Sequence, residues 1–360
     1  MTHSTLWTLA VAGLVSATAC SGSDTRSASD SAGTPGPATS SSAVDLTGAG
    51  ATFPQPIYSK WFSTYAAKNG VKINYQSIGS GGGIRQLSEQ TVDFGASDAP
   101  MSDAEMAKAK GGPVQHIPTA LGAVVMVYNL PDLGAPLKLT GDVIAAIFQG
   151  QITKWNDARI AALNPGAKLP ATDILVVHRS DGSGTSYVFT DYLASVSPAW
   201  AAKPGKGKEV QWPVGLGAKG NEGVAGQVKQ TPGAIGYVEL AYATQNKMSM
   251  ASVKNAVGEF VAPSIASVTA AAAGAAGKLP PTTDYRVSIV NAPGAGVYPI
   301  SSFTWIIAYT KQADAAKGKK LTDFLRWALS DGQGMESSLD YAPLPEGMRT
   351  ALLTRLDSIK

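Results

Sequence analysis

The chain has 360 residues, of which 44% are hydrophobic and 15% are charged, with a formal net charge of +3 at pH 7. A chain of this length and composition can bury two hydrophobic cores of ordinary size, so we expect two lobes. A charge this close to neutral, with no block of Lys or Arg, excludes the electrostatic footprint of a nucleic-acid-binding protein. We therefore expect no nucleic-acid partner.

The N-terminal residues, 1–20, are typical of an export signal. Their apolar stretch, Leu6 to Val15, is too short to cross a bilayer as a mature helix, and small residues follow it up to Cys20. We predict a signal peptide over residues 1–19. Simple cleavage after residues 17–19 and lipidation of Cys20, in a lipobox-like Ala-Thr-Ala-Cys sequence, are the two processing alternatives. Cys20 is the single cysteine of the chain, which favours lipidation, because an unmodified thiol is a liability in an oxidising compartment.

Residues 20–44 are predicted to form a flexible tether. They are rich in Ser, Thr, Gly, Pro and Ala and contain no aromatic residue, so they cannot bury enough surface to fold. A flexible coil of about 24 residues reaches roughly 25–30 Å. No later stretch reaches the roughly 18 uninterrupted apolar residues that a membrane span needs. We expect an exported protein in the periplasm or cell envelope, attached to the membrane through a lipid on Cys20.

Beyond the tether, short runs rich in β-branched and aromatic residues alternate with helical patterns. Thr52 is predicted to cap a helix with Pro54 in its first turn and Gly70 at its end. Ser102 and Glu105 have the spacing of a capping box. The alternation predicts an α/β fold with mainly parallel sheets. The predicted strands lie at 72–79, 123–130, 174–179, 234–240 and 303–310.

Three glycine-rich segments share one design, in which a strand or loop leads into Gly with Ser or Thr and then into a helical pattern. They are "GAGATFP" at 48–54, "GSGGGIRQL" at 79–87 and "DGSGTSYVF" at 181–189. The first N–H groups of a helix have no intrahelical partner and attract anions, glycine allows an anion to approach, and hydroxyls add donors. Each segment alone is also compatible with a tight turn. Three of them in one chain favour an oxyanion site.

Familiar nucleotide and catalytic motifs are absent from the sequence. "GSGGGI" lacks the final glycine of G-x-G-x-x-G, and no GK[ST] follows a glycine run. The mature chain has only His116 and His178, and Ser183 has no obvious base beside it in the sequence. We therefore predict no catalytic residue, no metal and no cofactor. His178 is expected to be a partly exposed side chain rather than a catalytic one.

Eight segments together resemble one family of transport proteins. They run in order from Leu46 to Leu344 and are similar to the phosphate-binding protein of bacterial phosphate-specific ABC transporters, the PstS family. The resemblance implies a two-lobed periplasmic binding protein of type II, with each lobe a mixed, mainly parallel sheet flanked by helices and with two hinge strands between the lobes. It also implies high-affinity binding of inorganic phosphate and its delivery to an inner-membrane ABC phosphate permease. The segments are "LTGAGATFPQPIYSKW", "YQSIGSGGGIRQL", "VDFGASDAPMSD", "ITKWNDARIAALNPG", "RSDGSGTSYVFTDYL", "WPVGLGAKGNEGVAG", "PGAIGYVELAYA" and "LDYAPLP".

The same resemblance implies a set of phosphate ligands, transferred residue by residue. Asp181 is implied as the partner of Arg179, which belongs to that set. Two neighbours depart from the family pattern: Gly81, where a second serine is frequent, and His178, which precedes the arginine. The implied ligands are Thr52, Phe53 through its backbone amide, Ser80, Asp98, Arg179, Ser183, Gly184 and Thr185.

The chemistry of this set can be argued independently of the family. An oxyanion would face a single arginine, Arg179, partly neutralised by Asp181, so hydroxyls and N–H dipoles are expected to supply most of its stabilisation. Asp98 repels an anion unless a proton lies between them. Phosphate carries that proton at neutral pH and sulfate does not, so Asp98 is expected to select phosphate. The sequence "SDAPMSD" alone is equally compatible with Asp98 as a surface cap.

The sequence thus predicts a phosphate-binding protein without catalysis. Lobe one is expected to comprise residues 45–118 and 299–360, and lobe two residues 119–298. Two other functions remain as alternatives: a binding protein for another oxyanion such as sulfate, and a secreted phosphomonoesterase. The sulfate alternative gives Asp98 no role, and the esterase alternative lacks a general base.

Overall fold

The structure is a computed structural model that describes residues 45–279 and 283–360. The predicted signal peptide at 1–19, the lipidation site Cys20 and the tether at 20–44 lie outside the described residues. Among the helices of residues 45–279 and 283–360, none is long and apolar enough to cross a bilayer.

Short strands and helices alternate along the described chain, as the sequence pattern predicts. The strands are β1 Leu46–Gly50, β2 Ile73–Ser77, β3 Phe94–Ser97, β4 Val114–Tyr128, β5 Lys138–Leu139, β6 Leu175–Arg179, β7 Leu216–Ala218, β8 Ala234–Glu239, β9 Ser249–Met250, β10 Ser252–Lys254, β11 Phe260–Val261 and β12 Ser301–Tyr309. The helices are α1 Gln55–Asn69, α2 Ser80–Ser88, α3 Asp103–Ala107, α4 Gly141–Phe148, α5 Ala158–Leu163, α6 Gly184–Val196, α7 Pro198–Ala202, α8 Gly220–Gln230, α9 Leu240–Gln245, α10 Ile265–Gly274, α11 Ala315–Ala328 and α12 Glu346–Arg355. Three 3₁₀ helices complete the described elements: Ala276–Lys278, Asp331–Leu339 and Leu356–Ser358.

The main sheet has the strand order β2-β1-β3-β12-β4-β8-β6-β7, with β9 also paired to β4. Its outer strands are parallel: β1 with β2 and β3, and β6 with β7 and β8. The central pairs β3–β12, β12–β4 and β4–β8 are antiparallel. The antiparallel share is therefore larger than the sequence predicts. A small separate sheet has the order β11-β10-β5.

Strand β4 divides the main sheet into two parts. Its residues 114–123 pair with β12, whereas residues 124–128 pair with β8. Ile300, the residue before β12, lies beside the point where the pairing of β4 changes, because the N–H of Val124 donates to the carbonyl of Ile300 at 2.8 Å. We call the part around β2-β1-β3-β12 the first lobe and the part around β8-β6-β7 the second lobe. This arrangement confirms the predicted two-lobed α/β fold, while the residue boundaries given above for the lobes stay a prediction.

Each lobe has its own aromatic core. In the first lobe, Phe62 of α1 packs against Phe324 of α11, with ring centroids 5.3 Å apart. In the second lobe, Phe189 of α6 stacks on Tyr237 of β8 at 4.3 Å, and His178 stacks on Trp212 at 4.8 Å. His178 is partly exposed, as expected. These ring contacts hold α1 against α11 in the first lobe and α6 against β8 in the second.

The helix ends agree with the sequence except at Thr52. Ser102 and Glu105 form the predicted capping box, and α1 ends at Gly70 with a left-handed φ of 70°. The prediction that Thr52 caps α1 is wrong, because the cap residue is Pro54 and no side chain caps this helix. The Thr52 hydroxyl instead accepts hydrogen bonds from Asn221 of α8.

Candidate functional site

The three glycine-rich turns meet where the two lobes face each other. Each leads into a helix: the first into α1, the second into α2 and the third into α6. The second and third turns touch directly, because the N–H of Gly81 donates to the carbonyl of Gly182 at 2.8 Å. A Cβ atom on Gly184 would lie 2.3 Å from Ser80 Oγ and 2.5 Å from Asp98 Oδ2. Glycine is therefore needed at 184 for this approach of the two lobes.

The first lobe supplies Thr52 and Phe53 in the turn before α1. Both are buried, at 2% and 0% exposure. Their carbonyls accept hydrogen bonds from two tyrosine hydroxyls at 2.6 Å, Tyr242 to Thr52 and Tyr341 to Phe53. Tyr242 belongs to α9 of the second lobe, so the turn is held from both lobes.

Asp98 is the carboxylate of the site and is only 1% exposed. Its Oδ1 accepts from Thr304 Oγ1 at 2.8 Å, and its backbone N–H donates to Ser80 Oγ at 3.1 Å. Its Oδ2 is buried without a hydrogen-bond partner among the described residues. Burial raises the pKa of Asp98 to about 7, against the lowering effects of Thr304, Arg179 and Ser80. The alternative of a surface cap is excluded, because the side chain is buried.

Arg179 ends strand β6 of the second lobe, and its side chain is 1% exposed. The guanidinium donates to both oxygens of Asp181, from Nε at 2.7 Å and from Nη2 at 2.5 Å. Burial acts to raise the pKa of Asp181, but the hydrogen bonds and charge of Arg179, with the N–H of Gly220, leave this pKa lowered. The backbone N–H of Arg179 donates to the Tyr237 hydroxyl at 3.1 Å, which anchors the arginine to the second core.

Ser183, Gly184 and Thr185 form the start of α6. Ser183 is the cap residue, and its Oγ accepts from the N–H of Ser186 at 2.9 Å. Thr185 is fully buried, and its Oγ1 accepts from Arg179 Nη1 at 3.3 Å. The N–H groups of Gly184 and Thr185 are the first of the helix and have no intrahelical acceptor. They carry the positive end of the helix dipole, which attracts negative charge.

The structure thus brings the eight predicted phosphate ligands into one buried region between the lobes, with the partly buried Asp181 beside them. The region combines one ion-paired cation, hydroxyls, helix N-termini and two buried carboxyl oxygens without a partner among the described residues, Oδ2 of Asp98 and Oε1 of Glu239. Such an arrangement suits an oxyanion that carries a proton, since the hydroxyls, the guanidinium and the N–H groups at the helix starts can all donate to its other oxygens. No group of three or more His, Cys, Asp or Glu side chains in the described part of the chain is placed to hold a metal.

Two buried residues of this region were missed by the sequence reasoning. Asn221 of α8 is fully buried and donates to both Thr52 and Thr185. Glu239 is also fully buried, and its Oε2 accepts from Ala241 N–H at 2.8 Å. Burial raises the pKa of Glu239 well above its usual value, which favours the neutral acid. Asn221 lies in the segment "GAKGNEGVAG". The signal available in the sequence was a polar residue that follows a glycine at the start of a helix.

Charged side chains join the two lobes at the edge of the site. Lys208 of the second lobe donates to Glu105 of α3 at 2.7 Å. Arg286, in the segment before β12, donates to Asp103 of α3 at 2.7 Å and to the carbonyl of Met101 at 3.1 Å. The two lobes are therefore in contact both at the site and at its margin.

Comparisons with known proteins give a consistent result. Residues 35–332 match the PBP superfamily domain. The chain is 48% identical over 316 residues to the phosphate-binding protein PstS of Xylella fastidiosa, covering 88% of this chain and 85% of that protein. It is 47% identical over 305 residues to the phosphate-binding protein PstS of Pasteurella multocida, covering 84% and 87%.

A solved structure has a similar fold at low sequence identity. It is that of a high-affinity periplasmic phosphate-binding protein, PfluDING, bound with phosphate. The TM-score is 0.68 at 22% identity, and the match covers 86% of this chain and 93% of that chain. At this identity the likeness establishes the fold alone.

Proposed function

Since the chain belongs to the PstS family of phosphate-binding proteins within the PBP superfamily, we propose that it binds inorganic phosphate between its two lobes and delivers it to an ABC-type phosphate importer. Binding without catalysis is the proposed activity. The relatives are named as phosphate-binding proteins, and the site offers donors to an anion rather than an activated nucleophile.

The observation that carries this proposal is the buried Asp98 Oδ2, which has no partner among the described residues. A buried acceptor without a donor costs about 1–3 kcal/mol. Monohydrogen phosphate would supply that donor from its own hydroxyl. It would also present three acceptor oxygens to the hydroxyls and N–H groups around it. Sulfate has no proton to offer, so above the pKa of Asp98, about 7, its oxygen would face the carboxylate directly.

We assign the remaining contacts by the type of each group. Arg179 would donate its free N–H groups, with Asp181 holding the guanidinium in place. The hydroxyls would donate single hydrogen bonds, and the backbone amides of Phe53 and Gly184 would donate along helix starts. The proposed ligands are Thr52, Phe53, Ser80, Asp98, Arg179, Ser183, Gly184 and Thr185, supported by Asp181.

The two alternative functions have weaker support. A sulfate-binding protein would leave Asp98 as a repulsive group in the middle of an anion site. A phosphomonoesterase needs a nucleophile beside a base, but Ser183 Oγ accepts a hydrogen bond from the backbone N–H of Ser186. Neither alternative accounts for the buried carboxylate.

Transport follows from the position of the ligands on both lobes. Phosphate held by the two lobes would stabilise the closed form, because only that form makes all the contacts. The permease could then recognise the loaded protein by its shape. We also propose export to the periplasm or cell envelope with a lipid anchor at Cys20, and lobes spanning 45–118 with 299–360, and 119–298.

Titration calorimetry with inorganic phosphate, sulfate and a phosphate monoester tests the proposal. We expect saturable binding of phosphate only. Tighter binding of sulfate than of phosphate would overturn the assignment of Asp98 and favour the sulfate alternative. Release of phosphate from the monoester would instead establish the esterase.

A further inference from the structure

Asn221 lies between the two threonines that the lobes contribute to the site. Its Nδ2 donates to Thr52 Oγ1 at 2.8 Å and to Thr185 Oγ1 at 3.1 Å. Its backbone N–H also donates to Thr52 Oγ1, at 3.2 Å. The opposite end of the amide, Oδ1, accepts from the N–H of Glu239 at 3.0 Å. Because a backbone N–H can only donate, the Glu239 contact requires oxygen at that end, and Nδ2 must face the threonines.

These contacts use up the acceptor capacity of both hydroxyls. A threonine hydroxyl has two lone pairs and one proton. Both lone pairs of Thr52 Oγ1 receive N–H groups of Asn221. Those of Thr185 Oγ1 receive Asn221 Nδ2 and Arg179 Nη1. Each hydroxyl is left with one function, the donation of its own proton.

We infer that Asn221 is a positioning residue that fixes the Thr52 and Thr185 hydroxyls as obligate donors toward the bound anion. The inference rests on the proposed function, because it needs an oxyanion to receive the two protons. A hydroxyl free to rotate can also turn a lone pair toward the anion, which repels it. Asn221 removes that orientation for one threonine from each lobe while making no contact with the anion itself.

A double-mutant cycle separates this role from a general structural one. Calorimetry with inorganic phosphate compares the wild type, Asn221→Ala, Thr52→Val and the double variant. Loss of the orienting bonds is expected to weaken phosphate binding roughly 10-fold in Asn221→Ala. In the Thr52→Val background the same change is expected to cost about 3-fold or less, because only Thr185 is left to orient. Equal losses in both backgrounds would overturn the inference.

The isosteric Asn221→Asp variant gives a second test that does not depend on the Ala variant folding. Its carboxylate would accept from both threonine hydroxyls and turn their protons away from the anion, so binding is expected to be weaker than in Asn221→Ala. Phosphate affinity equal to the wild type would overturn the inference. A wild type that does not bind phosphate would overturn the proposed function together with this inference, whereas additive losses overturn the inference alone.

Asn164 provides a matched control on the second lobe. It is buried and makes three hydrogen bonds, two with the backbone of Lys138 and one with the carbonyl of Ile160. Asn164→Ala therefore removes a similar number of buried amide bonds outside the phosphate site. Its phosphate affinity is expected to match the wild type. A loss equal to that of Asn221→Ala would assign the effect to general destabilisation and overturn the inference.

Discussion

The two lobes contribute chemically different halves of the site. The second-lobe half contains the cation, Arg179, whose charge is already matched by Asp181, together with the N-terminus of α6. The first-lobe half contains no cation among its proposed ligands, and it includes the buried carboxyl group of Asp98, whose backbone N–H donates to the hydroxyl of Ser80. On the proposed ligand set, the second-lobe half suits any oxyanion, whereas Asp98 makes the first-lobe half favour an anion with a proton. We propose that both lobes contribute to affinity, that the first lobe adds specificity through Asp98, and that closure combines the two halves.

The side chains of Arg179 and Asp98 also differ in how they are held within the protein. Arg179 is held by Asp181, by Thr185 and, through its backbone, by Tyr237. Asp98 keeps one oxygen without a partner among the described residues. The second-lobe half is therefore preorganised by its own contacts. We propose that a proton of the bound anion completes the first-lobe half.

The strongest way to break the pairing of the halves is to keep them apart with Gly184→Ala. The added Cβ would lie 2.3 Å from Ser80 Oγ and 2.5 Å from Asp98 Oδ2, so the closed form is blocked while each lobe stays intact. The variant is expected to lose several first-lobe hydrogen bonds at about 0.5–1.5 kcal/mol each, more than roughly 3 kcal/mol in all. Calorimetry measures the loss of affinity.

Small-angle scattering adds a direct measurement of closure. The wild type is expected to become more compact when saturated with phosphate, and Gly184→Ala is expected to keep its radius of gyration. Gly226→Ala is the matched control, since a Cβ at this helical glycine meets nothing within 4 Å. Tight phosphate binding by Gly184→Ala, or an unchanged radius in the saturated wild type, would contradict closure.

Removing the charge of the second-lobe half with Arg179→Met is expected to have the next largest effect. The loss of charge-assisted hydrogen bonds should weaken phosphate binding by about 1.5–3 kcal/mol. Arg159→Met is the control, because Arg159 is exposed and pairs with Asp157 outside the site. Unchanged affinity in Arg179→Met, measured by calorimetry, would place the arginine outside the phosphate site.

The sequence predicted the turns of the site better than the contacts between them. Glycine, hydroxyl and helix patterns are local, and they located the helix starts at Ser80 and Gly184. The position of Asn221 depends on the packing of α8 against a turn 169 residues away in sequence, which no local pattern encodes. The predicted cap at Thr52 is wrong for the same reason, because its hydroxyl accepts hydrogen bonds from Asn221, which is distant in sequence. The antiparallel centre of the sheet likewise depends on the return of β12 beside β4.

Replacing the carboxyl group of Asp98 with an amide, in Asp98→Asn, is expected to change the choice between phosphate and sulfate more than it changes phosphate affinity. The amide can donate to an unprotonated oxygen, so sulfate binding should tighten by about 1 kcal/mol or more. Competition between phosphate and sulfate in calorimetry measures the change. A variant that still ignores sulfate would show that discrimination lies in another group.

The pH dependence of sulfate binding sharpens the same distinction. Burial raises the pKa of Asp98 to about 7. Above that pH the carboxylate repels sulfate, and below it the protonated acid can donate to a sulfate oxygen. Sulfate affinity of the wild type is therefore expected to rise as the pH falls through about 7. The same titration of Asp98→Asn should be flat, and a flat wild-type profile would contradict the role of Asp98.

The smallest expected effect concerns the ion pair that joins the lobes outside the site. Lys208 and Glu105 are partly buried, with side-chain exposures of 20% and 30%, and such pairs contribute about 0.2–1 kcal/mol. Lys208→Met should therefore leave the phosphate contacts unchanged and speed phosphate release by up to about 5-fold, because the closed form alone loses this bond. Lys319→Met, which removes an exposed pair within α11, is the control.

Phosphate release, measured by stopped flow, should also accelerate with added salt in the wild type. It should respond less in Lys208→Met, since screening weakens the ion pair that the variant already lacks. Equal salt responses in the two proteins would show that this pair does not stabilise the closed form.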